Sequence, residues 1–246
     1  MRWSLVLTDI KPIAAVPPVL RWLLAVLLCL QIGWHHLYGA PKAALQQLPS
    51  PPSLSLLHAL ALGDDAVMAR LILLWLHAHD TQPGISLPFK SLDYERVAGW
   101  LLQIQRLDPR SEGALLSAVR VYGAVSDDKR RRLMLQFVYE RFLERPNLRW
   151  RWLAEAAIMA KHRLQDLPLA LRFARALREH ANGPQVPFWA RDMELVVLED
   201  MGELQAARIL VGGLLASGQL NDPVEIRYLQ QKLAELETQT DEMSTP

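Results

Sequence analysis

The feature that most constrains this chain is a repeat of helical hydrophobic stripes. The apolar set Val97/Trp100/Leu101/Ile104 recurs as Met134/Phe137/Val138, Ala170/Phe173/Ala174/Leu177 and Ala207/Leu210/Val211/Leu214, with starts 37, 36 and 37 residues apart. Each set follows i, i+3, i+4, the spacing that lines up one face of an α-helix for burial. A second register alternates with the first: Leu115/Ala118/Val119/Tyr122, then Leu153/Ala156/Ala157/Ala160, then Ala190/Met193/Val197, with starts 38 and 37 apart. One unit is therefore a pair of helices. A lone pair cannot bury both its faces, so pairs at a fixed period of this size stack side by side into an α-solenoid.

Prolines punctuate the same period. Pro109, Pro146, Pro184 and Pro223 follow the second helix of successive pairs, where the missing donor and the ring clash end a helix. Earlier in the chain, Asp64-Asp65 is an acidic start for a helix whose stripe reads Leu71/Leu74/Trp75/Ala78. The longest loop of the domain, Thr81 to Ser91, separates the two helices of this first pair. A last amphipathic stretch, Ile226 to Leu236, reads as a capping helix. Its charges Arg227, Lys232, Glu235 and Glu237 give the polar outer face that the end of a solenoid needs.

The front of the chain has a different character. Val19 to Gly39 reads VLRWLLAVLLCLQIGWHHLYG, close to the ~20 residues that cross a bilayer core as a helix. Arg21, one turn inside, is placed to snorkel to the headgroups, with Trp22 and Trp34 as interfacial anchors. A cleaved signal peptide shares a basic start and an apolar run, but Leu37-Tyr38-Gly39 and Tyr38-Gly39-Ala40 both set a bulky residue where processing needs a small one. The preferred reading is an uncleaved transmembrane helix. Arg2, Lys11 and Arg21 precede or open it and only Lys42 follows before Arg70, so the positive-inside rule expects a cytoplasmic N-terminus and, in a bacterial inner membrane, a periplasmic C-terminal domain.

The organisation expected is thus a cytoplasmic arm over 1–18, a transmembrane helix over 19–39, a Pro-rich tether over 40–52, a helical repeat domain over 53–238 and a disordered tail over 239–246. The formal net charge of +1, from Lys+Arg 27 against Asp+Glu 26, supplies no field to draw nucleic acid or acidic substrates. The single cysteine, Cys29, lies in the membrane segment, so no intramolecular disulfide is possible.

Helix pairs closed by proline, with a small residue opening the second helix at Ala170 and Ala207, resemble tetratricopeptide repeats. Gly202-Glu203-Leu204 before Ala207 is the nearest local match, and Leu107-Asp108-Pro109 resembles the usual ending of the repeat. The likeness covers roughly residues 64 to 223. The chain departs from the family in its units of 36 to 38 residues against the usual 34, in Val97 and Met134 where a small residue is usual, and in an irregular aromatic early in the first helix. The resemblance implies an all-α, tetratricopeptide-like helical-hairpin solenoid with a groove for peptides or protein surfaces and no catalysis of its own.

His77-Ala78-His79-Asp80 suggests metal binding, but residues two apart on a helix point about 200° apart, which favours a solvated helix-terminal pair. His35-His36 reads as a headgroup or subunit contact. None of HExxH, GxSxG, a Walker loop, GxGxxG or a CxxC pair occurs, so neither cofactor nor metal is expected and catalysis has no visible constellation. Glu155 reads as a carboxylate paired with Arg151 one turn away. Lys129-Arg130-Arg131-Arg132 follows a helix-start signal, Ser126-Asp127-Asp128, and reads as an exposed first turn.

Arg149-Trp150-Arg151-Trp152 is the most suggestive surface, because Trp and Arg dominate binding hot spots. Alternate helix positions cannot all be buried, so one tryptophan is expected in the core; packing between repeats is the leading reading of the row, and a partner contact through Trp150 or Trp152 and the flanking arginines is the alternative. The leading expectation is a single-pass membrane protein whose solenoid binds protein partners as a scaffold or assembly factor in the cell envelope. The alternatives are an accessory subunit that contacts a larger integral membrane complex through its membrane helix, and an envelope enzyme with a helical accessory domain.

Overall fold

A computed structural model of the chain describes residues 17–38, 47–79, 81–82, 85–86, 88–218, 220 and 222–244. The chain divides into two compact units, residues 1–45 with 82–85 and the remainder. In the first unit the described part is essentially one helix, α1 (Pro18–Tyr38, 21 residues). At about 1.5 Å per residue it is about 31 Å long, matching a bilayer core of roughly 30 Å. Of the expected arm over 1–18, residues 1–16 lie outside the described residues, and Pro18 already begins α1.

A ladder of two two-residue strands, β1 (Thr81–Gln82) and β2 (Ile85–Ser86), lies where the chain passes between the units' segments at 81–86, and the described elements of the second unit are helical. Its helices are α2 (Leu54–Leu60), α3 (Asp65–Ala78), α4 (Tyr94–Leu107), α5 (Gly113–Leu116, continuing as a π-helical segment Ser117–Tyr122), α6 (Asp128–Glu144), α7 (Pro146–His162), α8 (Leu167–His180), α9 (Phe188–Arg191), α10 (Met193–Asp200), α11 (Leu204–Ala216) and α12 (Pro223–Ser244). Aspartates begin several of them. Asp64, Asp93, Asp127 and Asp166 each accept backbone N–H bonds in the first turns of α3, α4, α6 and α8, satisfying donors that a helix start leaves unpaired. Pro146 sits at the first position of α7, where its missing N–H is harmless.

Consecutive helices pack against one another as stacked hairpins: α3 with α4, α5 with α6, α7 with α8, α10 with α11. The stripes read from the sequence form the seam. Val97, Leu101, Met134, Val138, Ala170, Phe173, Ala174, Leu177, Ala207 and Val211 are fully buried, as are Ala118, Val119, Tyr122, Leu153, Ala156 and Ala160 of the alternating register. One core runs from Leu48 to Val197. A smaller one joins Leu195 and Leu198 of α10 to Ala207, Val211, Leu229 and Leu236, so α10 presents opposite sides to the two cores.

The repeat period also appears in polar links between neighbouring hairpins. Arg172 Nη2 donates to Gln136 Oε1 at 2.7 Å across 36 residues, and Gly183 N–H donates to Asn147 Oδ1 at 2.7 Å, also across 36. Gly202 turns the chain from α10 into α11 at φ +73°, in the left-handed region that glycine enters without a Cβ penalty. There Glu203 N–H reaches back to Leu198 O at 3.0 Å.

Several expectations are corrected. The stripe Leu71/Leu74/Trp75/Ala78 faces outward, and α3 buries Ala69, Ile72 and Leu76 instead. The helix is apolar on both sides, so spacing alone does not choose between them. The described part of the Pro-rich segment is no free tether: Leu48 is buried, and residues 48–52 are bound along α4. The capping helix is longer than Ile226 to Leu236, and the backbone expected as a disordered tail from 239 continues α12 to Ser244.

Candidate interaction surfaces

The window Pro18–His35 of α1 has mean hydropathy 1.4 and no buried residue. It is long and apolar enough to cross a membrane. Arg21 and Trp22 lie in its first turns, and Trp34 follows Trp22 by 12 residues, about 18 Å along the axis.

The row Arg149-Trp150-Arg151-Trp152 splits across α7. Arg149 and Trp152, three apart, share the inner face and are each 3% exposed. The Arg149 guanidinium donates to the Arg141 carbonyl and, at 2.8 Å, to Glu144 Oε2, which closes the turn between α6 and α7. Arg151 is exposed, and Trp150 is half-buried against the edge of the main core. Trp150 meets Trp189 edge-on with centroids 5.6 Å apart, and the Arg151 guanidinium lies 5.8 Å from the Trp150 ring. Trp189 is 47% exposed. The structure thus splits the four-residue row, leaving Arg151 exposed and Trp150 half-buried beside the exposed Trp189.

Glu155 does not pair with Arg151. Its carboxylate takes a two-pronged bond from Arg120, Nε at 2.8 Å and Nη2 at 3.0 Å, while Arg151 stands 3.8 Å from Glu112. The basic run is also not uniformly exposed. Arg131 is buried, donating to the carbonyl of Gly123 at 3.1 Å and to Asp128 at 2.7 Å. Of the histidines, His77 is no solvated residue: its Nε2 lies 2.9 Å from Ser117 Oγ, and its ring is 6.1 Å from Tyr122. The His79 ring lies 5.4 Å from that of Trp75, tilted by 53°. Tyr122, fully buried, reaches Leu76 O with its hydroxyl and receives the Tyr94 hydroxyl on its own carbonyl at 3.0 Å. Burial pushes the Tyr94 hydroxyl up to about 12, which keeps it a donor. The two histidines diverge, and among the described residues no group of three His, Cys, Asp or Glu side chains could hold a metal ion.

Among the described residues of the second unit, the sequence did not single out one exposed apolar row as a surface. On α3, Val67, Leu71, Leu74 and Trp75 are exposed, Leu74 to 65%. Their spacing of i, i+4, i+7, i+8 is a complete helical stripe. On the adjoining α2, Leu56 and Leu60 are also exposed. Isolated apolar residues are ordinary on a surface, but a continuous row marks a contact. Compared with known proteins, the chain matches no family model, no curated protein and no solved structure.

Proposed function

We propose that this chain is a single-pass membrane protein whose tetratricopeptide-like hairpin stack binds a protein partner at the membrane, as a scaffold or assembly factor. The observation that carries the reading is the apolar row Val67/Leu71/Leu74/Trp75 on the first hairpin. It follows an unburied, membrane-length apolar helix by only a short stretch of chain. With about half of each of these four side chains in water, each forgoes roughly half of the ~1.5–3 kcal/mol that full burial contributes, and a partner that covers the row recovers it.

Orientation follows from the Lys/Arg excess before the span, giving a cytoplasmic N-terminus and, in a bacterial envelope, a periplasmic hairpin domain. The exposed Trp189, braced edge-on by the half-buried Trp150, serves as a second contact, since tryptophans are frequent binding anchors.

The test is affinity purification of the full-length protein from gently solubilised membranes, with mass spectrometry of companions in fixed ratio. Integral membrane partners that are lost on Leu71→Ser/Leu74→Ser support the reading. Recovery of the protein alone would falsify it. Exchange of α1 for an unrelated membrane helix distinguishes the accessory-subunit alternative: a scaffold keeps its companions, whereas a subunit bound through α1 loses them.

A further inference from the structure

The fourth hairpin contains a break that its hydrophobic register does not reveal. Ala190, Met193 and Val197 keep helical spacing, yet the helix is interrupted at Asp192 between α9 and α10. Beside the break, walled also by the ends of α8 and α11 and the start of α12, is a cavity of about 500 Å³. Arg178, Asn182, Arg191, Asp192 and Glu225 line it, with Leu214 and Leu220 as apolar wall.

The charges on this wall are unequally satisfied. Arg178 is bonded to Glu194, and Arg191 Nη2 donates to Glu225 at 3.2 Å. Asp192 is only 5% exposed, and its Oδ2 has no hydrogen-bond partner. Nor does its side chain cap α10. A buried carboxylate oxygen without a partner is costly, and local structure gives this one no use. Glu225, itself buried, stands near it and adds negative charge.

We propose that this cavity binds an organic cation, a primary ammonium or a guanidinium group, received by Asp192 with Glu225 beside it. A cation fits better than an anion: Arg191 Nε also lacks a hydrogen-bond partner, but both guanidinium groups on the wall are already ion-paired to carboxylates, while Asp192 Oδ2 has neither a hydrogen bond nor an ion pair. A metal ion lacks its ligands, since no trio of donors is assembled among the described residues. Leu214 and Leu220 accept the alkyl stem that carries the charge. The bond formed is charge-assisted and shielded from water.

The groups around Asp192 fix a pH signature. Arg178 and Glu179 approach from α8, Arg191 from α9, Glu194 from α10, and Glu225, Tyr228 and Lys232 from α12; α11 contributes only Leu214 and Ser217. Burial, reinforced by Glu225 and opposed by Arg191, pushes the Asp192 carboxyl up to about 7. Cation binding therefore displaces a proton below that pH, and affinity rises from pH 6 to pH 8.

The inference needs neither the membrane helix nor the face of α3. It is tested by calorimetric titration of the full-length protein in detergent with N-acetyl-arginine amide, N-acetyl-lysine amide and an arginine-containing pentapeptide. The result expected is saturable 1:1 binding at pH 8, several-fold weaker at pH 6. At least tenfold is lost in Asp192→Asn and in Ser217→Trp, which fills the cavity mouth without altering its charge. Tighter binding of the pentapeptide assigns the cation to a partner's side chain; equal binding assigns it to a small molecule. Absence of saturable binding by all three probes, or binding unchanged in Asp192→Asn, overturns the proposal.

Discussion

Trp100 donates its indole N–H to the carbonyl of Pro49 at 2.8 Å, fixing the segment that precedes α2 along the side of α4. Arg96 and Gln103, one turn to either side, bond Leu48 O at 2.6 Å and Pro52 O at 3.0 Å in the same way. Three side chains of one helix thus hold carbonyls of a proline-rich strand that offers few donors of its own. Between them lies Gly99, where a Cβ would stand 2.9 Å from Pro51 Cγ. In an ordinary helix interior Gly→Ala stabilises by about 1 kcal/mol. Here Gly99→Ala is expected to give no increase in Tm and to loosen residues 47–53, seen as faster hydrogen exchange in peptides covering them. Trp100→Phe, which removes one hydrogen bond, is expected to cost about 1 kcal/mol and to loosen the same peptides.

The two arginines of the Arg149-Trp150-Arg151-Trp152 row answer different questions. Arg149→Ala deletes a buried guanidinium that satisfies Arg141 O and Glu144, and is expected to lower stability by about 2–4 kcal/mol in urea denaturation. Trp150→Ala removes an edge-to-face contact with Trp189, and is expected to cost about 0.5–1.5 kcal/mol while weakening partner recovery. An Arg149→Ala protein as stable as the parent would contradict the structural role given to that side chain.

How much was legible depended on contrast. The stripes of α4, α6 and α8 were readable because a polar face stands opposite each apolar one, so spacing and burial agree. On α3 both faces are apolar, and the pattern Leu71/Leu74/Trp75 was as regular as the buried Ala69/Ile72/Leu76. Only packing against α4 decides between them. The π-helical segment of α5 was hidden because Leu115/Ala118/Val119/Tyr122 satisfies α-helical spacing equally well over so short a run. Arg149 was misplaced because arginine is seldom buried without partners, and its partners lie in the preceding turn rather than on its own stripe. Asp192 and Glu225 are 33 residues apart in sequence, and nothing local announces their meeting.

The same contrast yields a paired test on α3. Leu76 is fully buried and Leu71 and Leu74 are exposed. Leu76→Ala is expected to cost about 2–5 kcal/mol. Leu71→Ser/Leu74→Ser is expected to change stability by about 1 kcal/mol at most, since exposed substitutions are small, while reducing partner recovery. Equal losses from the two variants would mean that the outward row is buried within the protein.

Asp192 makes stability fall with rising pH, opposite to the usual behaviour of a carboxylate. Its folded value of about 7 lies above the ordinary 3.8, so between those values the folded chain binds more protons than the unfolded one. Unfolding free energy then declines with pH across that interval and levels off above it. The contribution is fully present below about pH 4 and is lost as pH rises through 7. Thermal denaturation at pH 5, 6, 7 and 8 is expected to show Tm decreasing across the series. Asp192→Asn, which cannot ionise, should flatten the decrease and leave the variant more stable than the parent at pH 8. An organic cation held in the cavity should have a related effect, raising Tm more at pH 8 than at pH 5, because it stabilises the ionised carboxylate that burial alone disfavours. A parent and an Asp192→Asn variant with parallel pH profiles would place the ordinary carboxylate value on Asp192 and remove the pH signature from the cavity.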